Sequence, residues 1–404
     1  MKILQINSVC GYGSTGRIAT DLYKVLEEQG HECIIAYGRG MAPEGFRTIK
    51  IGTNFDNYIH VAKTRLFDKH GFGSTKATKE FIKKVEEYDP DVIHLHNIHG
   101  YYINIEILFD YLKRANKKVI WTLHDCWAFT GHCAHFDYVG CNKWQTNCGK
   151  CIQKKQYPKS SLVDNSEKNF IRKKQIFNEV NKLRIVVVSN WLKEVVKQSM
   201  LRNNRIDVIY NGIDLNIFKK STGEVSRKKY KLDNKFVILG VATIWDKRKG
   251  LDDFKKIASK IDKESIVVLV GLSNKQIESL PDNIIGINRT DNINELVDLY
   301  SCADVFVNTS VEETFGLVTI EAMSCGTPTI VYNSTACPEL VDNSCGIVVE
   351  KSNIEEILSA IKEVKEKGKD YYSNSCIERV KRLYNKADIY DKYISIYKNM
   401  TNNN

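Results

Sequence analysis

No run of about 18 apolar residues occurs in the 404-residue chain, so the sequence offers no helix with which to span a bilayer. The opening Met1-Lys-Ile-Leu-Gln-Ile-Asn7 is too short, and too soon interrupted by polar residues, for a signal peptide. It reads as a first strand, and a cytoplasmic location is expected. Basic–aromatic interleaving of a nucleic-acid module is also missing. The net charge of +10 is spread over unrelated places, at Lys113-Arg114, Lys117-Lys118, Lys154-Lys155 and Arg227-Lys-Lys229. That pattern excludes a nucleic-acid stripe and leaves a solvated surface, an anionic substrate or an anionic membrane face. No short repeat occurs. No Asp-x-Asp metal motif stands near a strand end. Twelve cysteines without an export signal do not suggest a disulfide framework.

What is present is ordinary globular composition, 43% hydrophobic and 27% charged, arranged in alternation. Short β-rich runs at residues 2–7, 32–37, 91–96, 118–124 and 184–189 are separated by amphipathic stretches. One of these is residues 17–29, with Ile18, Leu22, Val25 and Leu26 at helical spacing. Continuous apolar runs suit strands buried on both faces of a parallel sheet. The rhythm restarts after a polar, lysine-rich stretch near 216–234. Strands are predicted at 236–240, 266–270, 284–287, 304–307, 329–331 and 346–349, and helices at 251–259, 293–300, 317–324 and 354–364. Residues 387–400 carry Ile389, Tyr390, Tyr393, Ile394, Ile396 and Tyr397, the apolar face of a last helix. Two βα series imply an α/β fold of two facing Rossmann-like domains, with parallel doubly wound sheets and a ligand cleft at the strands' carboxyl ends. The expected boundaries are an N-terminal acceptor domain 1–214 with a cysteine-rich loop 126–158, a linker 215–234, a donor domain 235–385, and a C-terminal helix 386–404 crossing back to the first domain.

Four motifs fall just after predicted strands. Gly11-Tyr-Gly-Ser-Thr-Gly16 can bring amides to an anion at a helix start or can be a plain tight turn. Its glycine spacing is that of the dinucleotide fingerprint. Strand two, however, ends in Tyr37-Gly-Arg39, where a ribose-binding acid would be needed. His124-Asp125 ends a strand and is read as a cleft pair, against the plainer reading of a core histidine. Asp246-Lys-Arg-Lys-Gly250 supplies cations for a diphosphate leaving group, or is a solvated turn. In Glu313-Thr-Phe-Gly-Leu-Val-Thr-Ile-Glu321 a helix is expected to begin near Gly316. Glu321 then lies on the helix body and Glu313 in the loop before it, with the amides of Phe315, Gly316, Leu317 and Val318 directed outward. This is an anion cradle between two carboxylates, one able to bind ribose hydroxyls and the other a sugar or the reacting centre.

These residues carry a resemblance. The Glu-x7-Glu block runs on into Ala322-Met-Ser-Cys-Gly-Thr-Pro328. With Val188-Ser-Asn-Trp-Leu192, Val208-Ile-Tyr-Asn-Gly-Ile-Asp214, Phe218 and Arg248-Lys-Gly250, the chain resembles the family-4 glycosyltransferases of GT-B architecture. The segments 91–100 and 121–133 are similar to the branch from bacterial capsule, O-antigen and colanic-acid-type polysaccharide clusters. The resemblance implies a retaining hexosyltransferase using a nucleoside-diphosphate sugar such as a UDP-sugar. Its implied acceptor is a glycan or lipid-linked oligosaccharide at the inner membrane leaflet, where the protein would be peripheral. It implies that Glu321 binds the donor ribose, and that Glu313 and His124 meet the transferred sugar. It further implies that Phe315, Gly316, Leu317 and Val318 hold sugar hydroxyls and phosphate, that Lys249 and Arg248 neutralise the diphosphate, that Gly16 lies near the phosphates, and that Arg289 and Thr290 lie near the base. Thr243 stands where many members carry an arginine. The implied chemistry is front-face departure of the nucleoside diphosphate, with no metal or other cofactor required for catalysis. Three other readings stay open at this stage: an NAD(P)-dependent oxidoreductase with tandem Rossmann domains, a non-catalytic scaffold, and an enzyme acting on a small soluble acceptor.

Cys133, Cys141, Cys148 and Cys151, with Cys126, His132 and His135 nearby, form a compact cluster ending in C-x2-C. A structural zinc with four thiolate ligands is one reading, supported by the lack of apolar runs from which this segment could build a core. A set of reduced buried thiols and a redox pair at Cys148 and Cys151 are the others.

Overall fold

The computed structural model describes residues 1–402. They form two compact units, residues 1–209 with 390–402, and residues 210–389. The first holds a seven-stranded parallel sheet built from β1 (Lys2–Asn7), β2 (Glu32–Tyr37), β3 (Thr48–Lys50), β4 (Val92–Leu95), β5 (Lys118–Leu123), β6 (Leu183–Val187) and β7 (Arg205–Val208). Their order is β3-β2-β1-β4-β5-β6-β7, so the chain winds outward in both directions from β1 and β4. The four strands β1, β4, β5 and β6 are buried almost throughout, which is why they are near-continuous apolar runs.

The second unit holds six parallel strands: β8 (Phe236–Val241), β9 (Ser265–Val270), β10 (Ile284–Ile287), β11 (Val305–Asn308), β12 (Thr329–Tyr332) and β13 (Gly346–Val349). Their order, β10-β9-β8-β11-β12-β13, reverses between β8 and β11. In such sheets loops leaving adjacent strands diverge at the reversal and open a ligand site. The basic loop follows β8 and the Glu313 loop follows β11.

The structure differs from the sequence reading in four places. Edge strands β3 and β7 escape the apolar pattern because Thr48-Ile-Lys50 is short and Arg205-Ile-Asp-Val208 alternates charge with apolar residues. The first helix begins at Gly13, not at residue 17. The stretch 215–234 is no free linker. It contains the helix Glu224–Lys229, whose Arg227 donates to the Cys302 carbonyl at 2.7 Å and whose Lys229 pairs with Asp291 and Glu295. The cysteine-rich loop has a core after all: Phe129, Phe136 and Trp144 are buried against one another, with ring centroids 4.7–6.3 Å apart.

The last helix, Lys386–Asn402, explains its own tyrosines. In the first unit, Tyr397 meets His94 Nδ1 at 2.6 Å and Tyr393 accepts from Thr122 at 3.3 Å.

Candidate active site

In the second unit, β11 ends at Asn308 and the helix Leu317–Ser324 begins after Gly316. Gly316 sits at φ 102°, a backbone region that side chains strain to adopt, and an added Cβ would lie 3.0 Å from Leu340 Cδ1. The Thr319 N–H turns back onto the Gly316 carbonyl at 3.0 Å. The amides of Leu317 and Val318 are left at the open first turn, where a helix has no internal acceptor for them. Phe315 is buried, and its ring packs 5.9 Å from Tyr210 and 5.7 Å from Tyr384, so it serves as an anchor beneath the turn.

The two glutamates are held by different means. The Glu313 N–H donates to Thr335 Oγ1 at 2.8 Å, and its carboxylate pairs with the Lys249 ammonium. Burial works to raise the Glu313 pKa, but Lys249, the Ser310 hydroxyl and Arg248 outweigh it, so the group stays below the usual carboxylate range. Glu321 accepts the Tyr300 hydroxyl at 2.8 Å. Tyr300 is wholly buried, and burial together with the Glu321 charge pushes its phenol well up, so it is a neutral donor at any working pH.

The basic loop is stitched to the Glu313 loop. Thr309 Oγ1 donates to the Lys249 carbonyl at 2.8 Å, and the Val311 N–H to the Arg248 carbonyl at 2.8 Å. A Cβ on Gly250 would come within 2.6 Å of the Thr309 carbonyl oxygen, so this close approach needs glycine. The Arg248 guanidinium turns back onto Asp246 at 3.1–3.3 Å. Both cations expected at a diphosphate are therefore paired with carboxylates of the unit itself. Arg289 and Thr290 leave the end of edge strand β10, three strands from β11 in the sheet order, so they stand apart from the Glu313 to Glu321 group.

The first unit has its own cluster at the carboxyl ends of β1, β4 and β5. Gln5 Nε2 donates to the Ala19 carbonyl at 2.9 Å, which fixes its amide oxygen as the group facing His96 Nε2 at 3.1 Å. That oxygen only accepts, so His96 carries its proton on Nε2 and presents a bare Nδ1 to His124 Nε2 at 3.2 Å. The network therefore assigns the His124 proton to Nε2. Burial pushes His124 down to about 4, against the opposing charge of Asp125, so it is neutral at physiological pH. Asp125 accepts from the Trp127 N–H at 2.9 Å and faces His99 at 2.8 Å. Gly16 is buried inside the first helical turn. Its carbonyl accepts from the Gly11 N–H at 3.1 Å, and a Cβ there would crowd Val9 and the Gly11 nitrogen at 3.1–3.2 Å. Its visible role is close packing of the loop.

Cys133, Cys141, Cys148 and Cys151 line one small cavity of about 20 Å³ together with His132 and Trp144. The Gly131 N–H donates to Cys148 Sγ at 3.2 Å, and His132 Nδ1 meets Asp68 at 2.6 Å while its buried Nε2 has no partner. All twelve cysteines are free thiols. Among the described residues no three or more His, Cys, Asp or Glu side chains form, as they stand, a group that could hold a metal ion.

The sequence reading missed Tyr300, Thr335, Ser310 and Thr309, which hold the two glutamates and the basic loop. Tyr300, Thr335 and Thr309 each act through one atom across a long stretch of chain, and Ser310 sits in the loop three residues before Glu313 with no spacing to mark it.

Residues 15–217 match the family model described as Glycosyltransferase Family 4, and residues 235–367 that of Glycosyl transferases group 1. WcaC of Escherichia coli K12, named for glycosyl transfer in colanic acid biosynthesis, is 24% identical over 417 residues, spanning 99% of this chain and 100% of that relative. The N-acetyl-alpha-D-glucosaminyl L-malate synthase of Bacillus anthracis is 25% identical over 362 residues, 84% of this chain and 81% of the relative. Sucrose-phosphate synthase from Thermosynechococcus elongatus has a similar structure, with a TM-score of 0.76 at 19% identity over 99% of this chain and 98% of that one. Anabaena HepE in complex with UDP and glucose gives 0.70 at 15% identity over 99% and 100%. At such identities the structures show the fold alone, two parallel-sheet Rossmann-like domains of GT-B type. With a Family 4 model matched over half the chain and a group 1 model over much of the second unit, the chain belongs to the family-4 glycosyltransferases.

Proposed function

We propose that this glycosyltransferase moves a hexose-type sugar, with retention of configuration, from a nucleoside-diphosphate sugar to a growing lipid-linked glycan in bacterial surface polysaccharide synthesis. The observation that carries the reading is the pair Glu313 and Glu321 on either side of an amide-bearing helix start, each fixed by its own partner, Lys249 or Tyr300. Glu321, oriented by the Tyr300 phenol, would accept hydrogen bonds from the ribose. The Leu317 and Val318 amides would face sugar hydroxyls and phosphate, with Phe315 and Gly316 shaping the turn. Lys249 would pass from Glu313 to the diphosphate as the donor enters, with Arg248 assisting, so that Glu313 becomes available to the transferred sugar. Gly16 is proposed near the phosphates, Arg289 and Thr290 near the base, and His124 as a neutral hydrogen-bonding group toward the donor sugar.

Chemistry of this kind rests on positioning and charge stabilisation, with the departing phosphate taking the acceptor proton. The name of WcaC supports the polysaccharide setting, and the HepE complexes support UDP as the nucleotide. The Bacillus anthracis relative supports a second reading, in which the acceptor is small and soluble. Family membership leaves the oxidoreductase reading without support.

Incubation with a panel of UDP-, GDP- and ADP-sugars, reading released nucleotide, identifies the donor. In that assay Glu313→Ala loses turnover while keeping nucleotide affinity. Full turnover by this variant removes Glu313 from the site.

A further inference from the structure

The helix Asn54–Phe67 in the first unit is built inside out. A helix on a globular surface normally turns its apolar stripe to the core and its polar face to water. Here the buried residues are Asn57, His60 and Thr64, all polar. Asn57 and His60 bond to residues outside the helix, and Thr64 bonds to the helix's own backbone. Asn57 donates to the Gly38 carbonyl at 2.9 Å, His60 meets Ser74 and the Gly73 amide at 2.9 and 3.2 Å, and Thr64 donates to the His60 carbonyl at 3.0 Å. The outer face carries Phe55, Tyr58, Ile59, Ala62 and Leu66, at helical spacing, with Phe67 at the end. Phe55 and Tyr58 are 71% and 72% exposed, and Leu66 and Phe67 41% and 49%.

The face continues into the next loop. The Ser161 N–H donates to the Arg65 carbonyl at 2.7 Å, and Asn165 Nδ2 to the Phe67 carbonyl at 2.8 Å. Between those two anchors lie Leu162 and Val163, 68% and 38% exposed. Lys63, Arg65 and Lys69 are exposed at its rim. The neighbouring acids do not neutralise them. Asp56 is spent in a capping box with Thr53, Asp68 is buried against His132 and the Asn165 amide, and Asp164 accepts from the backbone amides of Cys151 and Ser166. Large apolar and aromatic side chains with an unopposed cationic rim match a helix that lies in the interface of an anionic bilayer.

We propose that this face docks the first unit onto an anionic phospholipid surface, with Phe55, Tyr58, Ile59 and Leu66 entering the headgroup boundary and Lys63, Arg65 and Lys69 meeting the lipid charge. The inference deepens the proposed function, because a lipid-linked acceptor lies on such a surface. Its test is binding rather than turnover, so its failure leaves the transfer chemistry standing.

The purified full chain is sedimented with vesicles of phosphatidylcholine alone and of phosphatidylcholine with phosphatidylglycerol. It should bind the mixed vesicles, ignore the neutral ones, and release as salt rises. Phe55→Ser/Tyr58→Ser/Leu66→Ser should weaken binding roughly tenfold or more, and Lys63→Gln/Arg65→Gln roughly twenty-five-fold, at about fivefold per cation. Both variants should keep the wild-type melting temperature and the wild-type rate of nucleotide release in solution. Absence of wild-type binding at low salt overturns the proposal, as does equal binding by the triple variant. A wild-type dimer that Phe55→Ser converts to monomer also overturns it, by giving the face to a second copy.

Discussion

Tyr300→Phe is the most economical probe of the carboxylate pair. The substitution removes one oxygen and keeps the ring, which packs 5.9 Å from Phe306 and 6.5 Å from Phe218. The Tyr300 carbonyl still accepts from Thr327, so the fold has little reason to change. What disappears is a 2.8 Å donor to the Glu321 carboxylate. A hydrogen bond to a charged group contributes about 1.5–3 kcal/mol. If that energy orients Glu321 toward the ribose, nucleoside diphosphate binding should weaken about ten- to hundredfold, at roughly 1.4 kcal/mol per decade. Titration calorimetry with a nucleoside diphosphate and with its 2′,3′-dideoxy counterpart separates orientation from general damage. Wild-type protein should prefer the ribose form, and Tyr300→Phe should lose most of that preference while binding the dideoxy form as wild type does. Equal weakening toward both ligands, or toward neither, refutes the assignment of Glu321 to the ribose and of Tyr300 to its orientation.

Three further outcomes are expected. His60 accepts the Gly73 N–H at Nε2 and is wholly buried, and desolvation lowers its pKa from 6.5 to about 4. Because the folded value is depressed, the unfolded chain takes up the proton first as pH falls. Stability present above pH 6.5 is then lost toward pH 4, at about 1.4 kcal/mol per pH unit and roughly 3 kcal/mol in total. Urea unfolding at pH 7, 6 and 5 should show a shallower pH slope in His60→Gln, and an unchanged slope refutes the neutral buried ring. Chelation that leaves the fold intact should leave turnover intact, since the proposed chemistry uses no metal, and loss of turnover with the fold preserved refutes that chemistry. For the cysteine loop a structural zinc remains our proposal, supported by the shared cavity and the unpartnered His132 Nε2. It requires the four sulfurs to close further, and less than about half an equivalent of zinc in purified protein counts against it.

The sequence by itself determined the parallel strands of both units except the edge strands β3 and β7, because buried strands read as continuous apolar runs, and β1, β2, β10 and β13 have the residue limits that pattern implies. It also determined the helix start at Leu317, because Gly316 can take a left-handed conformation that other residues resist. Only the tertiary structure decided what each charged group faces. Lys249 meets Glu313 across 64 residues, and Tyr300 meets Glu321 from another helix. His124 is neutral because burial disfavours its charge, and Gln5 and His96 set which nitrogen carries its proton. A partner distant in sequence leaves no periodicity behind. The helix Asn54–Phe67 shows the limit most clearly: which of its sides meets water depends on whether the first unit supplies partners for Asn57 and His60, and it does.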